Sequence, residues 1–341
     1  MQNERKRSRL FSAVRCAAII AATLLTGAAE AQSTKLALPQ EGFGYLDTFI
    51  AKDAGIWRDL GLDVEIVYIR GTGGISGLLS GSVDFANISA GSVARVASRG
   101  QPLEVLANLV GSLIIEVVIR KDHADAAKLS PNAPLNERLA LLRGKTIATA
   151  PVNTIIYNFL KVAAGKAGMN AETDMRLAVV EEGQNAVVAL ERKQVDAMVQ
   201  SPPWTQEGVS VGGVRLIGPE DLPEFNPFGF TLLVGRPGFC AKNEMLCQKM
   251  VTGVVRAARF IHERPEETMK LLEKRFPALP EATLRASLKV ITAATLNPPT
   301  FEPSAMQNAI RFEIKAGTTD ASHSDVASKI PFTNKYLKAA D

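Results

Sequence analysis

Two stretches, GSVDFANISAGS (residues 81–92) and KQVDAMVQSPPW (193–204), decide the fold. Each reads as a turn, an aspartate, a short apolar strand, and then small or polar residues where a chain would start a helix. Leu78, Val83, Asp84 and Ser89 recur at the spacing of Leu190, Val195, Asp196 and Ser201. Two copies of one register, about 110 residues apart, predict a duplicated α/β lobe rather than a solenoid.

Working outward, short strands alternate with helical stretches on both sides of each copy. Around the first, KLALPQ, DVEIVYI, DFANIS and LEVLANLV are strands. Between the first two lies a helix whose apolar face is Leu46, Phe49, Ile50, Ala54 and Trp57. Around the second, GKTIATA, MRLAVV, DAMVQ and VRLIG are strands, with helices over Thr154 to Lys166 and over NAVVALERK. This alternation predicts an α/β protein with largely parallel sheets. EVVIRK (116–121) and the stretch 230–236 are strand-like segments that flank the second unit. They are the expected crossing strands of a hinge, which divides the chain into lobe 1 (32–118 plus 234–341) and lobe 2 (119–233). From Pro237 onward the pattern is helical and is broken by prolines.

Residues 1–31 read as a secretory signal peptide cleaved after Ala31. They have a basic start (Arg5, Lys6, Arg7, Arg9, Arg15), an apolar run from Cys16 to Gly27, and Ala29-Glu30-Ala31. The formal charge of +4 falls to about +1 without this leader, so the composition gives no reason to expect nucleic acid as a partner. No later stretch has the roughly 20 apolar residues of a membrane helix. Outside the leader there are two cysteines, Cys240 and Cys247. Within one helix they would stand about 10 Å apart, out of bridging range. A disulfide therefore requires Cys240 to precede the helix, as Arg236-Pro237-Gly238 suggests; two packed thiols are the alternative.

Catalytic and metal signatures are weak. His123, His262 and His323 have no partner at ligand spacing and read as surface residues. Glu181-Glu182 reads as a solvated strand end, and Asp84 and Asp196 as turn or capping residues at the sheet end away from a cleft. RGTGGISG lacks the lysine of a phosphate loop. No cofactor and no metal are expected. Open α/β sheets bind ligands beyond the carboxyl ends of their strands. Five segments fall there: EGFGY, GTGG, SAGS, PVNT and SPPW. Helix starts at Ser89 to Gly91 and at Asn153-Thr154 would offer free N–H groups to an anion, or would simply be caps. Phe43, Tyr45 and Trp204 could supply a flat apolar wall.

The stretches FIAKDAGIWRDLGLDVEIVYIRGTGG, LLSGSVDFANISAGSVARVASRGQPLEVLA, LRGKTIATAPVNTIIYNFLKVAAGKAGM and ALERKQVDAMVQSPPW resemble the nitrate, sulfonate and taurine type substrate-binding proteins of ABC importers, a group that includes NMT1-like thiamine-precursor binders. The resemblance implies a type II periplasmic binding fold, with two lobes, two crossing strands and a cleft that closes on ligand. It implies a monomeric periplasmic protein, not an enzyme, that delivers a small molecule to an ABC permease. Its ligand contacts would fall on Phe43, Gly44, Thr72, Ser89, Ala90, Val152, Asn153 and Thr154, and the strand-end segments GTGG and SPPW add Gly73, Ser201, Pro202 and Trp204 to the expected site. PVNT and EGFGY offer few of the basic or hydroxyl groups used for small oxyanions, so a partly apolar organic anion, a carboxylate or sulfonate, is expected. The alternatives are an enzyme on the same fold, making a thiamine pyrimidine or cleaving a sulfinate, and a ligand-sensing subunit. No His or Cys falls in the expected cleft to serve such an enzyme.

Overall fold

The computed structural model describes residues 31–338 apart from 72, 102, 131 and 181, so the expected leader, up to residue 30, lies outside the described residues. Ten strands form two five-stranded sheets. The first sheet contains β1 (Gln32–Leu38), β2 (Leu62–Tyr68), β3 (Phe85–Ile88) and β4 (Glu104–Val110). The second contains β5 (Glu116–Arg120), β6 (Thr146–Thr149), β7 (Arg176–Val179), β8 (Ala197–Gln200) and β9 (Gly213–Ile217). The last strand, β10 (Thr231–Gly235), returns to the first sheet. The orders are β2-β1-β3-β10-β4 and β7-β6-β8-β5-β9.

In each sheet one strand runs against its neighbours. β10 is antiparallel to β3 and β4, and β5 is antiparallel to β8 and β9. Both antiparallel strands are apolar and lie between two partners, which is why they read as near-continuous hydrophobic runs. The boundaries expected at 118/119 and 233/234 fall inside β5 and β10. A strand bonded on both sides cannot be divided between lobes, so β5 lies in the second sheet and β10 in the first. The chain crosses between sheets at 111–115 and 218–230. These two crossings are tied together where Phe228 N–H donates to the Gly111 carbonyl at 2.8 Å.

The duplicated register holds at atomic detail. Asp84 N–H donates to Lys35 O, and Asp84 Oδ2 accepts from Lys35 N and from Thr34 Oγ1, at 3.0, 3.2 and 2.9 Å. In the second sheet Asp196 N–H donates to Thr146 O, and its Oδ2 accepts from Thr146 N, both at 2.8 Å. Arg236, just past β10, and Arg120, the last residue of β5, donate their N–H groups to the Asp84 and Asp196 carbonyls. Each aspartate thus clamps the third strand of its lobe to the first strand, a stronger role than turn capping. His123, expected on the surface, is mostly buried and lies 2.7 Å from Asp196 Oδ1 through Nε2. His262 is exposed, as expected, with Nε2 3.0 Å from the Thr295 carbonyl.

The C-terminal helices cover the first sheet. Helix Glu244–Glu263 buries Leu246, Met250, Val251, Val254 and Ile261, on a face at helical spacing, against helix Leu46–Asp53 and its surroundings. Trp57, fully buried, donates its indole N–H to Met250 O at 3.1 Å. A Cβ at Gly253 would stand 2.0 Å from the Trp57 indole nitrogen, so only glycine fits there. Cys240 lies in the short helix Phe239–Cys240-Ala241–Lys242, ahead of the long helix that carries Cys247, and the two are bridged with Cα atoms 5.7 Å apart.

Candidate functional site

The carboxyl ends of the parallel strands of both sheets open toward one cleft, and a cavity of about 110 Å³ lies between the lobes there. The first lobe contributes Pro39 and Gln40 after β1, Tyr45 beyond them, Arg70 and Gly71 after β2, Ile75 of helix Gly73–Ser80, Ile88 at the end of β3, and Ser89 and Ser92 after it. The second contributes Ala150, Pro151, Thr154, Ile155 and Ile156 after β6. Phe230, at the end of the second crossing, completes the wall. The lining is thus mostly apolar with a few convergent polar groups, the usual make-up of a small-molecule site.

Two helix starts face this cavity from opposite lobes. Ser89 caps helix Ala90–Ala97 by accepting the Ser92 N–H at 3.3 Å. Thr154 caps helix Ile155–Lys166 by accepting the Tyr157 N–H at 3.3 Å, and its hydroxyl donates to Pro151 O at 2.7 Å. Serine and threonine cap because their oxygens satisfy first-turn N–H groups that have no intrahelical partner. The positive ends of both helix dipoles point toward the space between them, which favours a negatively charged occupant.

The expected contact residues fall into several groups. Ser89 and Thr154 come together on the cavity wall. Phe43 and Gly44 are buried behind it: the Phe43 ring packs 5.4 Å from Phe276, and a Cβ on Gly44 would stand 3.0 Å from Phe230. Gly73 opens its helix against Ile69, and Thr72 lies outside the described residues. Ala90 is fully buried and its N–H is already donated to Gly229 O at 2.9 Å, so it offers no donor to the cleft. Val152 is 56% exposed and away from the cavity lining. Asn153 takes a left-handed φ of 66° and presents its carbonyl to Arg95, 3.0 Å from Nη2. Ser201 and Pro202 are buried, and Pro202 O accepts the Phe43 N–H across the lobes at 2.9 Å.

Trp204 lines an adjoining compartment of about 510 Å³ with Glu41, Tyr68, Glu182 and Gln184. Its ring lies 6.4 Å from Phe276, and its indole N–H reaches the Glu41 carbonyl at 3.4 Å. Arg70, Gln40 and Pro39 border both compartments. Arg70 Nη2 meets Glu182 Oε1 across the cleft at 2.9 Å. The Tyr68 hydroxyl donates to Glu41 at 3.0 Å, and burial together with the Glu41 charge pushes its pKa up to about 12. Burial likewise raises Tyr45, keeping its hydroxyl protonated.

Gln40, Arg70 and Ser92 line the cleft but are missing from the sequence-derived set. Arg70 precedes the glycine run directly after β2, so its place past a strand end marks the cleft end of the sheet but not whether its side chain faces the cleft. Ser92 stands three residues after Ser89, so one helical turn brings it to the same face. Among the described residues, no group of three or more His, Cys, Asp or Glu side chains could hold a metal ion.

A sequence model of the NMT1-like family matches residues 30–274. No protein of curated function matches the sequence. Among solved structures, one from Bordetella bronchiseptica superposes with a TM-score of 0.73 at 20% identity, over 91% of this chain and 97% of its own. The periplasmic nitrate-binding protein NrtA from Synechocystis gives 0.71 at 18% identity, over 91% and 88%. The alkanesulfonate-binding protein SsuA from Xanthomonas axonopodis pv. citri, bound to MOPS, gives 0.67 at 16% identity, over 90% and 100%. At these identities the structural likeness establishes a shared fold, that of periplasmic binding proteins. The family match covers well over half of the sequence, and the chain therefore belongs to the NMT1-like family.

Proposed function

We propose that this protein is a periplasmic solute-binding protein that captures a small organic anion between its lobes and delivers it to an ABC permease. The observation that carries this reading is the cavity built from both lobes, with the helix starts at Ser89 and Thr154 facing one another across it. A ligand that touches both lobes stabilises their closed arrangement by the difference in its affinity for the closed and open states. The pivots for such a movement would be the crossings 111–115 and 218–230. Lobe 1 would then carry the first sheet with the C-terminal helices, and lobe 2 the second sheet.

The lining favours a carboxylate or sulfonate with a short apolar tail over a bare inorganic oxyanion. Ile75, Ile88, Ile155 and Ile156 would leave nitrate with an apolar wall on most sides, whereas each buried methylene of a tail is worth about 0.8 kcal/mol. Export as a soluble monomer and a role in binding rather than catalysis complete the reading. A thermal-shift screen of the mature protein across nitrate, alkanesulfonates and aliphatic and aromatic carboxylates tests it. Short-tailed anions are expected to raise Tm, with saturation confirmed by calorimetry. Stabilisation by no anion in the set, or turnover of a bound compound, would overturn it.

A further inference from the structure

The two helix starts facing the cavity are not equivalent. The Thr154 hydroxyl is spent within its own lobe: it donates to Pro151 O and accepts the Tyr157 N–H. Opposite it stands a pair, Ser89 and Ser92, with their Oγ atoms 3.1 Å apart and both on the cavity wall. Ser89 Oγ accepts the Ser92 N–H, and Ser92 Oγ accepts Arg95 Nη2 at 2.9 Å. The pair holds two hydroxyl protons. One bridges the two oxygens, and among the described residues no acceptor exists for the other. Whichever way the bridge runs, one O–H is left to the cavity together with one lone pair.

Arg95 enforces this order and does more. Its Nη1 meets Glu313, whose side chain is 1% exposed. Its Nη2 is shared between Ser92 Oγ and the Asn153 carbonyl of the opposite lobe. The same Glu313 accepts Asn158 Nδ2, also from the opposite lobe, at 3.1 Å, as well as the Thr318 hydroxyl. A Cβ on Gly91 would stand 2.2 Å from Glu313 Oε1, so the glycine in the serine cluster leaves room for this carboxylate rather than for a ligand.

We infer that Arg95 is a positioning residue that turns the Ser89–Ser92 pair into an O–H donor for a ligand oxygen and completes this arrangement only when the lobes are together. The inference rests on the capture reading and sharpens it: Arg95 leaves the pair one O–H and a single open lone pair where there would otherwise be two, so this wall, beside two helix N-termini, takes an acceptor such as a carboxylate or sulfonate oxygen in preference to a protonated amine. With Arg95 in place one lone pair of Ser92 is always occupied; without it, that lone pair is open to a donor group. Lysine at 95 keeps a charge beside Glu313, but a single ammonium lacks the planar fork that reaches Glu313, Ser92 and Asn153 at once.

The test compares butyrate, butane-1-sulfonate and butylamine by calorimetry on the mature wild type, Arg95→Lys and the charge-balanced Arg95→Met/Glu313→Gln. Interlobe distance is followed by fluorescence transfer between labels placed one on each lobe. The wild type should bind the two anions and reject the amine. Both variants should lose about tenfold in anion affinity, reject the amine less strongly, and show a longer ligand-free interlobe distance while each remains folded by circular dichroism. A purely structural role would lower Tm but leave the anion-to-amine ratio and the distance unchanged. Anion binding by the wild type with an unchanged ratio and distance in the variants would overturn the inference and leave the capture reading standing; so would amine binding by the wild type. Binding of no probe to the wild type would overturn the capture reading for these solutes and the donor role with it, while an unchanged ligand-free distance in Arg95→Lys would overturn the cross-lobe role.

Discussion

Asp47, in the first turn of helix Leu46–Asp53, is fully buried, and neither carboxyl oxygen has a well-formed hydrogen bond. Burial raises its pKa to about 8, with its own backbone N–H a smaller opposing influence. A group whose folded pKa lies above its unfolded value binds an extra proton in the folded state throughout that interval. Its contribution to stability is therefore full below about pH 4 and is lost as pH rises toward 8, with a slope approaching about 1.4 kcal/mol per pH unit. Asp47→Asn should remove that dependence: chemical denaturation at pH 5 and pH 8 should show a smaller loss for the variant, and equal losses would contradict the assignment. Nothing in LDTFIAKD marks this carboxyl as buried, since Asp is ordinary in a first helical turn. The serine and threonine caps, by contrast, were legible because capping depends on local residue type. Arg70 and Ser92 were not, because which side chains face a cleft depends on how two distant lobes meet.

At the scale of elements, the duplicated Val-Asp-strand-Ser register was the most informative part of the sequence, and the clamps explain why. An aspartate one residue before the third strand bonds the backbone of the first strand, so its position in sequence follows from strand register. What the pattern could not reveal was sheet membership. β5 and β10 are apolar in either sheet, and only pairing with distant strands shows that each inserts next to the edge strand of its sheet. Asp196 is partly buried, which alone would raise its pKa, but the Thr146 N–H and His123 hold it below the usual carboxylate range. Its stabilising contribution is thus present above the ordinary carboxylate pKa and is lost as pH falls through the lowered value. Asp196→Ala should cost about 1–3 kcal/mol, because it strands the Thr146 N–H and the His123 ring. Urea denaturation at neutral pH checks this, and the deficit should shrink in acid. The Cys240–Cys247 bridge closes a short loop, so its reduction should cost only about 2.5 kcal/mol on loop-closure grounds, measurable as a modest fall in Tm with reductant.

For the whole molecule, the question is what holds the lobes in register. The Arg70–Glu182 pair spans the cleft, but both side chains are more than half exposed, so it contributes at most about 1 kcal/mol and is weakened by salt. A more protected contact lies at Trp204, which belongs to the second lobe but packs against Phe276 and reaches the Glu41 carbonyl in the first. Beside it, Thr283 of the C-terminal helices donates to Glu207 at 2.8 Å. The ring is set from behind by Gly183, where a Cβ would stand 2.0 Å from Trp204 Cδ1. Gly183→Ala therefore pushes on the ring from within its own lobe, and the displacement is transmitted to the interface. Overpacking of this kind costs about 1–3 kcal/mol, and part of that cost is expected in the closed arrangement rather than in folding of the second lobe. Small-angle scattering of the ligand-free variant should then give a larger radius of gyration than wild type, with a fall in anion affinity. A loss of Tm without any change in radius would place the strain wholly inside the second lobe and deny Trp204 a part in closure.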